Sequence, residues 1–320
     1  MPYTQVSNLD FEDIKTSLKE YMRAQSDFTD YDFEGSTLSV LLDTLAYNTY
    51  YTAFNTNMVV NELFIDSATL RDNVVAIAKQ LGYRPKSATS PTAYVSFTVT
   101  YSNPTTDTEL LLKKGTGFTA TYENRLFNYV VLEDVKAQVA NGVATFSDVA
   151  INEGTQLTNT FTVNSASKSQ RFVLDNQNID TNTISVRVYP TGGSFNEPYL
   201  VADNILGVDA TSKVFFLDEI EDERYEILMG DGVLGKKLEN NARIEVSYLV
   251  TSGPESNGVR TFTFSGVLEN PDGVSPSSFT IALNSIVAAA GGEEIESTKK
   301  IKNTAPKAYG TQDRAVTAQD

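Results

Sequence analysis

The chain has 320 residues, 41 acidic against 25 basic for a formal net charge of −16, and it contains neither cysteine nor histidine. Without cysteine there are no disulfides, thiol nucleophiles or thiolate metal sites, and without histidine the Ser/His/Asp and Cys/His arrangements and nearly all zinc chemistry are gone. So acidic a surface opposes nucleic acid and anionic membranes, and no leader peptide or run of ~20 apolar residues is visible.

These features predict a soluble, non-enzymatic protein assembled in reducing cytoplasm, with no catalytic, cofactor-binding or metal-binding residues. The length allows two or three domains, and folding should remove roughly three quarters of the unfolded chain's surface from water.

Residues 8 to 85 read as helical. Asp10 or Asn8 caps a first helix with Phe11, Ile14, Leu18, Tyr21 and Met22 on its apolar face. The aspartate-rich stretch Asp27 to Asp32 and Gly35 end it. A second helix starts at Ser36 or Thr37 and reaches about Glu62, bent near Asn55-Thr56-Asn57. A third starts at Ser67 or Asp66, carries Leu70, Val74, Ile77 and Leu81 on one face, and stops at Gly82 and Pro85.

The second helix carries two apolar stripes. Leu38, Leu41, Leu45 and Thr52 form one, and Tyr47, Tyr50, Tyr51 and Phe54 another. A helix apolar on two sides must be covered on two sides. One reading is a three-helix core within the chain, with the first and third helices supplying cover. The other is an intermolecular bundle, in which Leu38, Leu41, Leu45, Tyr47, Tyr50, Tyr51 and Phe54 form the partner interface.

From Ser90 the period changes to two. Val95, Phe97, Val99 and Tyr101 alternate with polar residues, and further strands are expected at 116–121, 126–132, 143–149, 158–164, 171–174 and 183–189. Asn141-Gly142 marks a hairpin turn. Strands around 213–217, 224–229, 243–251 and 259–265 make a third segment. Pro271 to Pro276 reads as linker, and 279–289 is apolar and ambiguous, with helix favoured. The predicted fold is α+β and multidomain. It comprises a helical bundle-forming region at 1–88, β-rich domains at 89–192 and 193–270, and a linker with the start of a C-terminal helical or mixed domain at 271–320.

Three features invite chemistry. Gly230-Asp231-Gly232-Val233-Leu234-Gly235 has the glycines of a phosphate loop but lacks its lysine and hydroxyl, so it reads as a hairpin connection between two strands. Asp218, Glu219, Glu221, Asp222 and Glu223 lack the ligand spacing of a calcium loop and read as a solvated turn. Glu293, Glu294 and Glu296 are placed at the start of a last helix and Lys299, Lys300 and Lys302 at its end, with Glu296 and Lys300 as an i, i+4 pair. Past them, Thr317-Ala318-Gln319-Asp320 resembles an N-cap with no helix behind it, so the chain is read as the front of a longer polypeptide or as one whose ordered part stops here.

The motifs resemble a family. Gly291 to Glu296, Thr304-Ala305-Pro306-Lys307-Ala308 and Arg314 to Asp320 are similar to baseplate J-like proteins of contractile phage tails. So are Tyr225 to Gly235, Val246-Ser247-Tyr248 and Ser252-Gly253, and more weakly Lys113 to Phe118 with Ile151-Asn152-Glu153-Gly154. Asp32 to Ser36, Leu41 to Asn48, Asn61 to Ala68 and Leu81 to Pro85 look like the large baseplate wedge subunit of myoviruses.

The resemblance implies a structural protein of the virion tail baseplate, assembled in host cytoplasm. It implies an N-terminal helical bundle shared with a second copy and another wedge protein, and contacts with tail hub or sheath-proximal proteins. It further implies a ring around the tail hub that rearranges on contraction, with the ring-forming part beyond Asp320. A Gly-Asn usual in the family stands here as Asn257-Gly258. Two other readings stay open. One is a tail-fibre or adhesin-like β module that binds surface carbohydrate, suggested by the strands and the 16 tyrosines. The other is a glycosidase built on a spatial carboxylate pair.

Overall fold

Asp10 opens the first helix, α1 (Phe11–Arg23), by accepting hydrogen bonds from the Glu12 and Asp13 N–H groups at 2.9 and 3.2 Å. The computed structural model describes residues 10–25, 37–103, 105–166, 170–193, 195–202, 207–276 and 278–311. Asn8, Asp27 to Ser36 and Thr317 to Asp320 lie outside them.

α2 (Thr37–Glu62) is one unbroken 26-residue helix, about 39 Å long, that runs on through Asn55-Thr56-Asn57. Its threonines do not break it, because Thr49, Thr52 and Thr56 each donate to the carbonyl four residues back at 2.8–2.9 Å. α3 (Arg71–Gln80) starts later than the expected Ser67 or Asp66. The reason lies at the end of α2. The Glu62 carboxylate accepts from the Thr69 N–H and hydroxyl at 2.8 and 2.6 Å, the Leu70 N–H at 3.3 Å and the Asn73 amide at 2.8 Å. It is a cap supplied from another helix. α3 ends in a Schellman motif, with Gly82 at φ 82 and Tyr83 N–H donating to the Ala78 carbonyl.

α4 (Thr298–Thr311) follows the β region and contains Pro306. α3 packs on α4, burying Ala68, Val74, Val75, Ala78, Ile301 and Ala305. α1 packs along α2, with Lys15 and Asp43 paired at 2.6 Å. The expected three-helix core therefore gives way to two helix pairs. Tyr21, placed on the apolar face of α1 by its spacing, points to solvent.

The described residues before Lys86 and after Glu296 form one compact unit, and those of 86–296 form another. The second unit holds β1 (Thr92–Tyr101), β2 (Glu109–Leu112), β3 (Gly117–Tyr122), β4 (Arg125–Val130), β5 (Val135–Ala140), β6 (Val143–Glu153), β7 (Thr155–Thr162) and β8 (Phe172–Leu174). It continues with β9 (Ile179–Tyr189), β10 (Glu197–Val201), β11 (Val214–Glu219), β12 (Tyr225–Met229), β13 (Arg243–Val250), β14 (Thr263–Phe264) and β15 (Phe279–Ala290).

One sheet runs β14-β3-β4-β6-β1-β15, with β5 on β6 and β2 on β5; the other runs β7-β13-β9-β10-β11-β12-β8. All pairings are antiparallel except β10 with β11. The first core buries Val95, Phe97, Phe118 and Phe146, with the Phe97 and Phe146 rings stacked at 4.7 Å. The second buries Tyr199, Phe215, Ile244 and Tyr248. Asn141-Gly142 forms the expected two-residue hairpin, both residues at positive φ.

Three sequence expectations are corrected. Residues 279–290 form strand β15, not helix: alanines at 282 and 288–290 favour helix locally, but Phe279, Ile281 and Leu283 alternate onto the core opposite β1. Glu293 to Glu296 precede α4 instead of opening it. Glu293 and Thr89 exchange backbone hydrogen bonds, and the Glu296 N–H donates to the Lys86 carbonyl while the Lys86 N–H donates to the Glu296 carboxylate, so this segment is extended and Glu296 lies before the first turn of α4. Gly230 to Gly235 does not join paired strands, since β12 pairs with β11 and β8 while β13 pairs with β7 and β9. The loop closes on itself, with Asp231 Oδ1 accepting from Val233 and Leu234 N–H groups. Sheet membership also crosses the expected 89–192 and 193–270 segments, because β7 to β9 sit with β10 to β13, and β14 and β15 return to the first sheet.

Candidate docking surface and motif junction

α2 turns its large side chains outward. Its buried positions are Leu42, Ala46, Asn57 and Asn61, a narrow line with one large apolar residue, in which Asn61 donates to the Asn57 carbonyl at 2.7 Å. Of the residues expected at an interface, Leu41, Leu45, Tyr47, Tyr51 and Phe54 are 60, 53, 57, 50 and 42% exposed. Leu38 and Tyr50 are half-buried. Tyr47 and Tyr51 lie ring to ring at 5.2 Å, and a hydrogen bond between them, with Tyr51's charge, raises the Tyr47 hydroxyl pKa above its ordinary value.

Val40, Met58 and Val59 belong to the same exposed surface and are absent from the sequence-based set. A signal for two of them was available: Val40, Thr44, Tyr47, Tyr51, Phe54 and Met58 follow one another at steps of four and three, the spacing of a coiled-coil seam. The surface carries almost no charge. Asp43 and Glu62 are the charged residues of α2, one paired with Lys15 and the other capping α3. Burial raises the pKa of the Glu62 carboxyl, but its four hydrogen bonds outweigh that and hold it at about 2.

The motifs of the β unit meet at a junction. Glu153, buried at the end of β6, accepts from the Thr251 hydroxyl at 2.6 Å, the Ser252 N–H at 3.0 Å and the Ser252 hydroxyl at 2.5 Å, tying one sheet to the strand end of the other. Asn257 binds the Gly292 backbone from both ends of its amide, at 2.9 and 3.0 Å. A Cβ on Gly292 would stand 2.4 Å from Pro91 Cγ and 2.5 Å from the Gly253 carbonyl oxygen, so only glycine fits. Asp180, also buried, accepts from the Ser90 N–H and hydroxyl at 2.8 Å. These carboxylates join segments of chain.

Of the acidic run, Glu221, Asp222 and Glu223 lie in the turn between β11 and β12, with Asp222 at positive φ and 3.6 Å from Arg224. Asp218 and Glu219 belong to β11 and Glu219 is buried, so only part of the run is the expected solvated turn. Beside Gly230 and Asp231 is a cleft of about 440 Å³ lined by Val163, Phe172, Leu228, Met229 and Lys237. Phe172, its aromatic ring, is buried and presents no open face on which a sugar could stack. No helix among the described residues is long and apolar enough to cross a membrane.

Against known proteins, residues 10–83 match the family described as baseplate wedge protein gp6-like, helical domain, the stretch that contains α1, α2 and α3. The resemblance read from the motifs therefore holds for this part of the chain. Along nearly all of it, the chain is similar to "Baseplate wedge protein gp6" of Enterobacteria phage T4, with 28% identity over 328 residues covering 97% of this chain and 48% of that protein. The chain spans about half the length of this curated relative. Among solved structures, one chain of the anti-feeding prophage (AFP) baseplate, 6-fold symmetrised, matches at 12% identity, covering 98% of this chain and 63% of that one. Its TM-score of 0.30 is too low to say anything further about this fold.

Proposed function

We propose that this chain is a structural component of a phage tail baseplate wedge and that α2 carries it into an intermolecular helical bundle with a second copy and another wedge protein. The observation that carries this reading is the inverted helix. α2 covers Leu42, Ala46, Asn57 and Asn61 and leaves Leu41, Leu45, Tyr47, Tyr51 and Phe54 open over about 20 Å of almost uncharged surface. The similarity to the T4 wedge protein supports the baseplate role. Contact with tail hub or sheath-proximal proteins, a part in the ring around the hub that rearranges on contraction, and a place in the virion after assembly in host cytoplasm belong to the same proposal. Native mass spectrometry of the purified chain, alone and co-expressed with the other wedge proteins of its phage, tests it. The expected species contain two copies of the chain and one other wedge protein. A chain that stays monomeric in every mixture overturns the reading.

A further inference from the structure

β15 closes one edge of its sheet, and its twelve residues, Phe279 to Ala290, include no charged residue and no proline. Such edges are ordinarily blunted by lysine, proline or a covering segment. Which backbone groups face outward follows from the neighbouring bonds. Tyr101 donates its N–H away from β15, to the Gly142 carbonyl, whereas Ser102 donates to the Ser278 carbonyl. In an antiparallel ladder the residues alternate. Thr280, Ala282 and Asn284 therefore bond inward to Thr100, Thr98 and Ser96, and Phe279, Ile281 and Leu283 turn their N–H and C=O groups outward. Near the other end of β15 the outward groups of Ala289 are satisfied by Gly258 and Val259. Over residues 279–283 no described residue plays that part.

The side chains agree. Val99 and Phe97, directly opposite on β1, are buried at 0 and 2% exposure, yet their partners Ile281 and Leu283 are only partly buried although they pack on the same core. The core is thinly covered along the edge whose backbone is unpaired.

We propose that the outer edge of β15 at residues 279–283 accepts an extended, uncharged strand with alternating apolar residues, donated by a different polypeptide. A row of main-chain donors and acceptors is matched only by another strand, and the half-covered apolar side chains call for apolar residues at alternate positions. A second copy is disfavoured because residues 86–296 carry 27 acidic against 14 basic residues, so pairing two of these units edge to edge brings like charges together, whereas the exposed face of α2 is almost uncharged. The proposal does not depend on α2.

The probe is a synthetic peptide copying Thr92 to Tyr101, an uncharged strand that already matches β15 from its inner side, with a scrambled peptide as control. In the free full-length chain, amide exchange at Phe279, Ile281 and Leu283 should run at least tenfold faster than at Thr280 and Ala282. Adding the peptide should slow those three amides. Ile281→Pro removes an outward N–H that β1 does not use, together with part of the Ile281 packing, so its melting temperature should fall no further than that of Ile281→Ala while it binds the peptide at least tenfold more weakly than Ile281→Ala does. Protected outward amides in the free chain, an unfolded Ile281→Pro, or equal peptide binding by that variant overturns the proposal. So does a dimer of the chain, seen by sedimentation, that the same variant dissolves.

Discussion

Asn257 and Gly292 are held together by a two-point hydrogen bond, the Asn257 side-chain amide donating to the Gly292 carbonyl and accepting from its N–H. Thirty-five residues separate them, and neither forms part of a strand. Gly292→Ala should therefore act as an overpacking change. Its Cβ meets the Pro91 ring and the Gly253 carbonyl, and a stability loss of about 1–3 kcal/mol is expected from urea unfolding followed by tyrosine fluorescence. An unchanged midpoint would mean that the close approach is absent in solution.

Glu153 offers a second test at the same junction. Glu153→Gln keeps the shape, and its NH2 group can face the Ser252 hydroxyl, which turns to accept, while its oxygen keeps the Thr251 hydroxyl and the Ser252 N–H. Losing the charge turns three charge-assisted bonds into neutral ones and should lower stability by about 1–3 kcal/mol. Thr251→Val should then cost less in the Gln variant, where the bond it breaks is no longer charge-assisted, than in the parent chain.

For α2 the two faces should behave oppositely. Leu45 is open to solvent, so Leu45→Asp is expected to leave the isolated chain within about 0.5 kcal/mol of its parent while abolishing association in native mass spectra. Leu42 is 3% exposed, and Leu42→Asp buries an unpaired charge and should melt the α1–α2 pair. Retained association in the Leu45 variant would remove that face from the interface.

Glu62 gives the helical unit a defined acid response. Its carboxyl sits at about 2 in the folded chain against an ordinary 4.5. A depressed folded pKa contributes stability that is complete above the unfolded value and fades as pH falls from about 4.5 towards 2. The difference between the parent and Glu62→Gln, followed as amide protection of α3, should therefore shrink across that window. A difference of constant size from pH 6 to pH 2.5 would show that the cap does not titrate as described.

Much of this was legible in the residues. Asp10, Gly82 and Asn141-Gly142 act where local chemistry alone decides, and the residues announce them. The boundary of α3 is not announced, because its cap comes from Glu62 on another helix and no local signal stands at Leu70. β15 hides for a related reason. Its alanines favour helix, and only the register with β1 explains the strand. β2, β5 and β10 went unseen as well, being short strands that rely on their neighbours. The aromatic and leucine face of α2 was visible as a pattern, yet the pattern alone does not say which side the chain keeps for itself. Val40 and Met58 were missed since the stripes were read as blocks and not at heptad spacing.

The pairing of α3 with α4 has a consequence for biosynthesis. Ile301 and Ala305 fill the space beside Val74, Val75 and Ala78, and the whole of Lys86–Glu296 is translated between them. On the ribosome, α3 must wait with that surface open until the entire strand region has emerged. Any docking that needs the closed α3–α4 pair must therefore wait until α4 has been made.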